Sequence, residues 1–162
     1  MWPFKKKGAA LNQYLSSVAD IRVPGSLKSP KITRFKTSYI IFQLRKDDLE
    51  ELATSLVRAQ QIVQQHQGIA WAVLSNISFA TFNWPPTVNT NDSEARCSRA
   101  AIALQSEFLG DVRGACAIAD GVFANIASES VIKVSPILPG VENTMQRVLQ
   151  MEYGQIKESG SE

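Results

Sequence analysis

The sequence predicts an α+β domain, a ferredoxin-like antiparallel sheet with helices packed on one face. Three observations carry this. Apolar strand-like runs and amphipathic helical patterns follow one another as strand, helix, two strands, helix, two strands, a further short strand, helix. Turn signals, Ser75-Asn76 and Asp120-Gly121, stand between runs that could pair as hairpins. A chain of 162 residues, 44% apolar and 20% charged, has the size and composition of one globular unit with its own core.

Tyr39-Ile40-Ile41-Phe42-Gln43-Leu44 is a nearly continuous apolar run, as a buried strand requires. Asp47 is placed to cap the helix that follows, with Glu50 three residues on in the capping-box position. Leu49, Leu52, Ala53, Leu56, Ala59 and Val63 mark one face of that helix, and Gly68 is placed to end it. Two strands follow, Ile69 to Leu74 and Ile77 to Phe82, joined at Ser75-Asn76 because Asn tolerates the left-handed backbone of tight turns. Trp84-Pro85-Pro86 ends the second, since proline cannot donate to a ladder, and Thr87 to Asp92 is a polar loop.

A second helix is expected from about Asn91, with Glu94 in its capping box, an apolar face of Cys97, Ala100, Ala101, Leu104 and Phe108, and Gly110 at its end. Val112 to Ala119 and Val122 to Ala127 flank Asp120-Gly121 and predict a second hairpin. Gly114 to Ala119 presents so little side-chain bulk that a neighbouring element can pack closely on it. Val131 to Val134 predicts a strand and Val141 to Met151 a last helix. The domain is placed at residues 38–154. Residues 1–37 are expected to form a short helix (Leu11, Tyr14, Leu15, Val18) and an irregular arm containing Pro24, Gly25 and Pro30, and residues 155–162 a frayed tail.

Composition excludes several functions. No apolar run approaches the roughly 20 residues that span a bilayer, and the N-terminal Trp2, Phe4 and lysines lack the apolar stretch of a secretory signal. That cluster reads as a solvated terminus or as a contact for an anionic membrane surface. A net charge of +2 gives no footprint for nucleic acid. Cys97 and Cys116, the only cysteines, lie in apolar contexts and make no disulfide framework, so a cytoplasmic protein is expected.

Chemistry-bearing residues are sparse. His66, the only histidine, falls in the last turn of a helix, where a cation suits the carbonyl end. A lone helix-terminal histidine is more often a cap than a ligand or catalyst, which argues against His-based metal sites and Ser-His-Asp or Cys-His systems. Asp47, Asp48, Glu50 and Glu51 crowd a helix N-terminus, where carboxylates answer unpaired N–H groups. No second element offers carboxylates to complete a Mg²⁺ site with them, and no Gly-rich phosphate loop is present. No cofactor is expected.

A set of local matches runs in order over residues 38–150. His66-Gln67-Gly68-Ile69, Ser75-Asn76-Ile77-Ser78-Phe79-Ala80-Thr81-Phe82 and Trp84-Pro85 resemble the class III nucleotidyl cyclases from the first helix through the following hairpin. Ala100 to Gln105 resembles that family's alanine-rich helix, and Val112-Arg113 with Ala117-Ile118-Ala119-Asp120-Gly121 its next hairpin. Pro139-Gly140 followed by Asn143 and Arg147 resembles its Asn-x-x-x-Arg helix. The resemblance implies a cyclase-homology-type fold.

It also implies what is missing. Family members hold two metal ions with one Asp at the end of the first strand and one in the following hairpin. Here those positions carry Leu44 and Asn76, and Ala72 stands near the position of a purine-reading lysine. Two divalent ions need anionic oxygens, so no metal site is expected. Asn143 and Arg147 remain, one turn apart. In the family the equivalent pair crosses the dimer interface to orient ribose and to stabilise phosphate charge. Without the resemblance they read as a solvated polar face.

Three functions follow. The first is a catalytically silent pseudoenzyme of the cyclase type, a homodimeric regulatory or ligand-sensing module in signalling, with a purine nucleotide as its possible ligand. The second is an Asn/Arg-donating half of a heterodimer with an intact cyclase domain. The third is a ferredoxin-like interaction domain unrelated to nucleotides.

Overall fold

The computed structural model describes residues 31–74, 76–83, 92–127, 132–137 and 139–158. The elements are β1 (Lys31–Leu44), α1 (Leu49–Gln65), β2 (Ile69–Leu74), β3 (Ile77–Phe82), α2 (Ser93–Phe108), β4 (Val112–Ala127), β5 (Ile132–Ile137), α3 (Val141–Gln150) and β6 (Gln155–Lys157). The predicted helix near residue 91, the two strands around Asn76 and the last helix all form close to their expected bounds. Residues 1–30, the Trp84-Pro85-Pro86 segment and most of the following loop lie outside the described residues.

The sheet runs in the order β2-β3-β1-β4-β5. Its first four strands are the antiparallel 2-3-1-4 arrangement that a β-α-β-β-α-β chain makes. β1 lies at the centre. Alternate residues send Ile40, Phe42 and Leu44 to one face and Tyr39 and Ile41 to the other, all almost wholly buried.

α1 and α2 share the first face. Leu56, Ile62 and Val63 of α1 and Cys97, Ala100 and Leu104 of α2 close over Ile40, Phe42 and Leu44. The helices are tied at one end by Arg96. Its buried guanidinium donates to Asp92 Oδ1 (3.0 Å), His66 O (3.3 Å) and Gln67 O (2.9 Å), answering carbonyls that the end of α1 leaves free. His66 sits at the C-cap of α1, with Nδ1–H donating to Ile62 O at 2.8 Å. Gln67, not Gly68, takes the left-handed backbone there, at φ 60°. Gly68 is required for another reason: a Cβ at that position would lie 2.6 Å from the ring of Phe82.

Four expectations are corrected. β1 begins at Lys31, inside the stretch read as an irregular arm. The Pro and Gly that argued for irregularity end at Pro30, and every residue from Lys31 to Leu44 has a register partner on β4. Asp120-Gly121 makes no turn. β4 passes straight through it, with Asp120 opposite Lys36 and Gly121 opposite Phe35. Pairing with a strand of matching length overrides the local turn signal and sets opposite charges across from each other. The cap of α1 is Asp48, whose Oδ2 accepts from Glu51 N–H at 3.1 Å. Finally, Gln155–Lys157 is no frayed tail but a short strand parallel to β4, held by Gln105, whose Oε1 accepts from Ile156 N–H at 3.0 Å.

The two core helices share one face as predicted, and α3 covers part of the other. Val148 and Thr144 of α3 are buried over Tyr39, Ile41, Ala115 and Ala119. The Tyr39 hydroxyl donates to Thr144 Oγ1 (2.9 Å), which donates in turn to Gly140 O (3.1 Å). Beside α3, the same sheet face carries half-buried Ile69, Trp71 and Phe79.

Candidate functional site

The end of β1 and the β2–β3 turn meet where the resemblance places metal ligands. Leu44 and Asn76 are brought together, but not as ligands. Leu44 points into the α1/α2 core, 1% exposed. Asn76 closes the turn onto β1. Its Nδ2–H donates to Leu44 O at 2.8 Å, and Leu44 N–H donates back to Asn76 O at 3.1 Å. The one side-chain oxygen that Asn76 offers accepts from Gln43 Nε2 at 3.2 Å.

Gln43 passes the chain of bonds onward. Its Oε1 accepts from Arg113 Nε (2.8 Å) and Nη2 (2.6 Å), while Arg113 Nη1 donates to Met151 O at 2.7 Å. The Arg113 guanidinium lies 4.5 Å from the Tyr153 ring centre, and Arg45 lies 4.4 Å from the same centre. Arg45 also donates to Gly110 O at 3.0 Å. Lys46 Nζ donates to Asp111 Oδ2 at 2.8 Å, whereas Arg45 is 3.9 Å from that carboxylate.

The hydrogen bond to Lys46 holds the Asp111 carboxyl below its ordinary range, and raises the Lys46 ammonium in turn. Arg45, Lys46 and Arg113 gather at this end of the sheet around the Asp111 carboxylate and the Tyr153 ring. A buried leucine and a neutral amide stand where two divalent ions would need carboxylates, and the Arg113 guanidinium is bonded to the adjoining Gln43. These residues do not fit a pair of metal ions. Among the described residues, no group of three His, Cys, Asp or Glu side chains is placed to hold one.

Asn143 and Arg147 lie elsewhere on the same face of the molecule. Both are exposed on α3, and among the described residues neither makes a hydrogen bond or ion pair. Thr144, between them in sequence, turns inward to Tyr39 and fixes the rotation of the helix. Burial pushes the Tyr39 hydroxyl above its ordinary value, against the opposing effects of the Thr144 bond and the Arg147 charge. Tyr39 and Gln43 are four residues apart on β1, so the α3 anchor and the Arg113 cluster are separated by about 13 Å along one sheet face.

Other candidates resolve simply. Asp47, Asp48, Glu50 and Glu51 sit at the start of α1, where Asp48 is the cap. Cys97 and Cys116 are buried free thiols, and their mutual hydrogen bond, with burial, pushes the Cys97 thiol far above its usual value. Sequence reasoning missed Gln43, Arg45 and Tyr153. Arg113 was noticed only within a motif. The available signal was a polar Gln interrupting the apolar run of β1.

No family model matches the chain, and no curated protein matches it. Solved structures do. The adenylyl cyclase CyaB from P. aeruginosa is similar at a TM-score of 0.60 and 13% identity, over 80% of this chain and 79% of that one. The catalytic core of a rhodopsin-guanylyl cyclase with converted specificity, in complex with ATPalphaS, is similar at 0.58 and 10% identity, over 81% of each chain. The non-canonical dimeric guanylyl cyclase domain of the RhoGC fusion protein from the aquatic fungus Blastocladiella emersonii is similar at 0.58 and 11% identity, over 80% and 82%. The chain has the fold of the class III nucleotidyl cyclase domains. No helix among the described residues is long and apolar enough to cross a membrane.

Proposed function

We propose that this chain is a catalytically silent nucleotidyl cyclase-like domain that acts as a homodimeric regulatory or ligand-sensing module. One observation carries the reading. At the positions that would hold metal, Leu44 is core and Asn76 is committed to closing the β2–β3 turn. A reaction that depends on two ions bridging nucleotide phosphates has no carboxylates here to hold them. Half-buried Ile69, Trp71 and Phe79 beside α3 offer an apolar surface for a second copy. A similar guanylyl cyclase domain is described as dimeric.

The test combines product assay with native mass measurement. The purified chain is expected to form no cyclic nucleotide from ATP or GTP with Mg²⁺ or Mn²⁺, and to run as a dimer. Metal-dependent turnover that disappears on chelation would overturn the silent reading, and a monomer at every concentration would remove the homodimer.

A second reading is favoured by the exposure of Asn143 and Arg147 on α3. An unpaired amide and guanidinium one turn apart are what a donating half presents to an intact cyclase partner. Stimulation of such a partner by this chain would select it.

A further inference from the structure

We infer that the guanidinium pair around Tyr153 is a metal-independent binding site for a phosphate-class oxyanion. The inference deepens the ligand-sensing reading and rests on it for there being a ligand at all. The charge arrangement stands on its own. Arg45 and Arg113 both lie within 4.5 Å of one ring centre, which concentrates two fixed positive charges in a small volume. The nearby carboxylate, Asp111, is engaged at 2.8 Å by Lys46 and stands at 3.9 Å from Arg45. Arg113 has no carboxylate within ion-pair distance among the described residues. Its hydrogen-bond partners are neutral: Gln43 Oε1 and Met151 O.

A half-buried guanidinium offset only by neutral acceptors and a shared ring is electrostatically incomplete, because like charges there raise the cost of burial. Donors also remain. A guanidinium has five N–H groups; Arg113 uses three and Arg45 one in the bonds above. The Arg45 side chain is 56% exposed, so the site is open on its side. Two planar forks held against one ring suit an anion of several charges and several oxygens better than a single carboxylate. Where cyclase-fold relatives would need metal cations between protein and phosphate, this chain supplies the positive charge itself.

The experiment is calorimetric titration of the full chain with inorganic triphosphate in EDTA, with ATP and citrate as parallel ligands and at two salt concentrations. Triphosphate is expected to bind without metal, to weaken as salt rises, and to bind more tightly than citrate. Arg45→Gln, at an exposed position, should weaken it about tenfold or more with an unchanged melting curve, while Arg147→Ala leaves it unaltered. ATP binding no tighter than triphosphate would identify a site for phosphate alone, and tighter ATP binding a nucleotide site; either outcome supports the anion site. Absence of binding in EDTA, equal affinity for citrate, or loss with Arg147→Ala instead of Arg45→Gln would overturn it. A chain that makes cyclic nucleotide yet binds triphosphate through Arg45 would sink the silent reading and leave this inference standing.

Discussion

Asn76 and Leu44 hold each other by two hydrogen bonds, Asn76 Nδ2–H to Leu44 O at 2.8 Å and Leu44 N–H to Asn76 O at 3.1 Å. The first needs an amide donor, and an aspartate has none. Asn76→Asp would set a carboxylate oxygen against a carbonyl oxygen and break the contact that closes the turn. We expect a loss of about 1–3 kcal/mol, read as a lower melting temperature, with no cyclic nucleotide formed. Leu44→Asp should be worse, since it drives a carboxylate into the α1/α2 core and should leave the chain unfolded. A stable double variant with metal-dependent turnover would show that the site is only two substitutions from function.

Tyr39 anchors α3, and its hydroxyl can be removed without orphaning its partner, because Thr144 still donates to Gly140 O. Tyr39→Phe should therefore cost only about 0.5–1.5 kcal/mol in a denaturant melt. The raised Tyr39 hydroxyl makes a separate prediction. Its neutral form is favoured by the fold, so that stabilisation is full below the ordinary tyrosine value of 10.0 and is lost as pH rises through the higher folded value. Ultraviolet titration should show a tyrosine ionising above 10.0, and Tyr39→Phe should delete that step.

The small residues of β4 are tightest at Gly114 to Cys116. A Cβ on Gly114 would lie 2.8 Å from Ile41 O, and Ala115 is wholly buried beneath α3. Ala115→Leu should overpack this face and cost about 1–3 kcal/mol. Ala117 is only half-buried, so Ala117→Leu should cost less. Equal melting temperatures for the two variants would mean that α3 does not press on the sheet at Ala115.

Asp111 joins the start of β4 to the corner after β1. It accepts from Lys46 Nζ at 2.8 Å, and its backbone carbonyl accepts from Arg45 N–H at 2.8 Å. Because its folded pKa is lowered, the stabilisation it gives is present above the ordinary carboxylate value and disappears as pH falls through the lowered one. At neutral pH it is complete. Carboxyl-carbon NMR should show Asp111 titrating below its ordinary value, and Lys46→Ala should raise it.

The sequence was most informative where a signal was local. Alternating apolar runs ended by Asn76 and by proline fixed β2 and β3, and the faces of α1 and α2 were readable from spacing. It misled at Asp120-Gly121, where fourteen register partners on β1 outweigh a two-residue turn preference. It misled again at β6, read as part of a frayed tail, because those three residues pair with β4 and bond to Gln105, 51 positions from Ile156, and neither contact has a local signal. In the site, Leu44 and Asn76 were visible as departures from the family's pattern, but the hydrogen-bonded cluster beside them was not. Gln43 and Arg113 are 70 residues apart, and only the register of β1 against β4 sets them side by side.

The exposed pair on α3 separates a donating half from a remnant. If this chain completes a site in an intact cyclase partner, Arg147 meets phosphate charge that grows as the reaction proceeds. Such a contact is stronger in the transition state than in the ground state, so Arg147→Ala should lower kcat of the mixed complex far more than it raises KM. Donors aimed at developing charge contribute about 3–4 kcal/mol, which sets the loss at a hundredfold or more. Arg147→Lys should rescue little, because it keeps the charge and loses the planar fork. Asn143→Ala should slow the reaction by misplacing the ribose. Both positions are exposed on α3, so these variants should melt like the parent, and any loss of rate is then chemical. A stimulated partner indifferent to Arg147→Ala would mark the pair as a solvated polar face, and Ala72, standing where a purine-reading lysine would be, weighs toward that result.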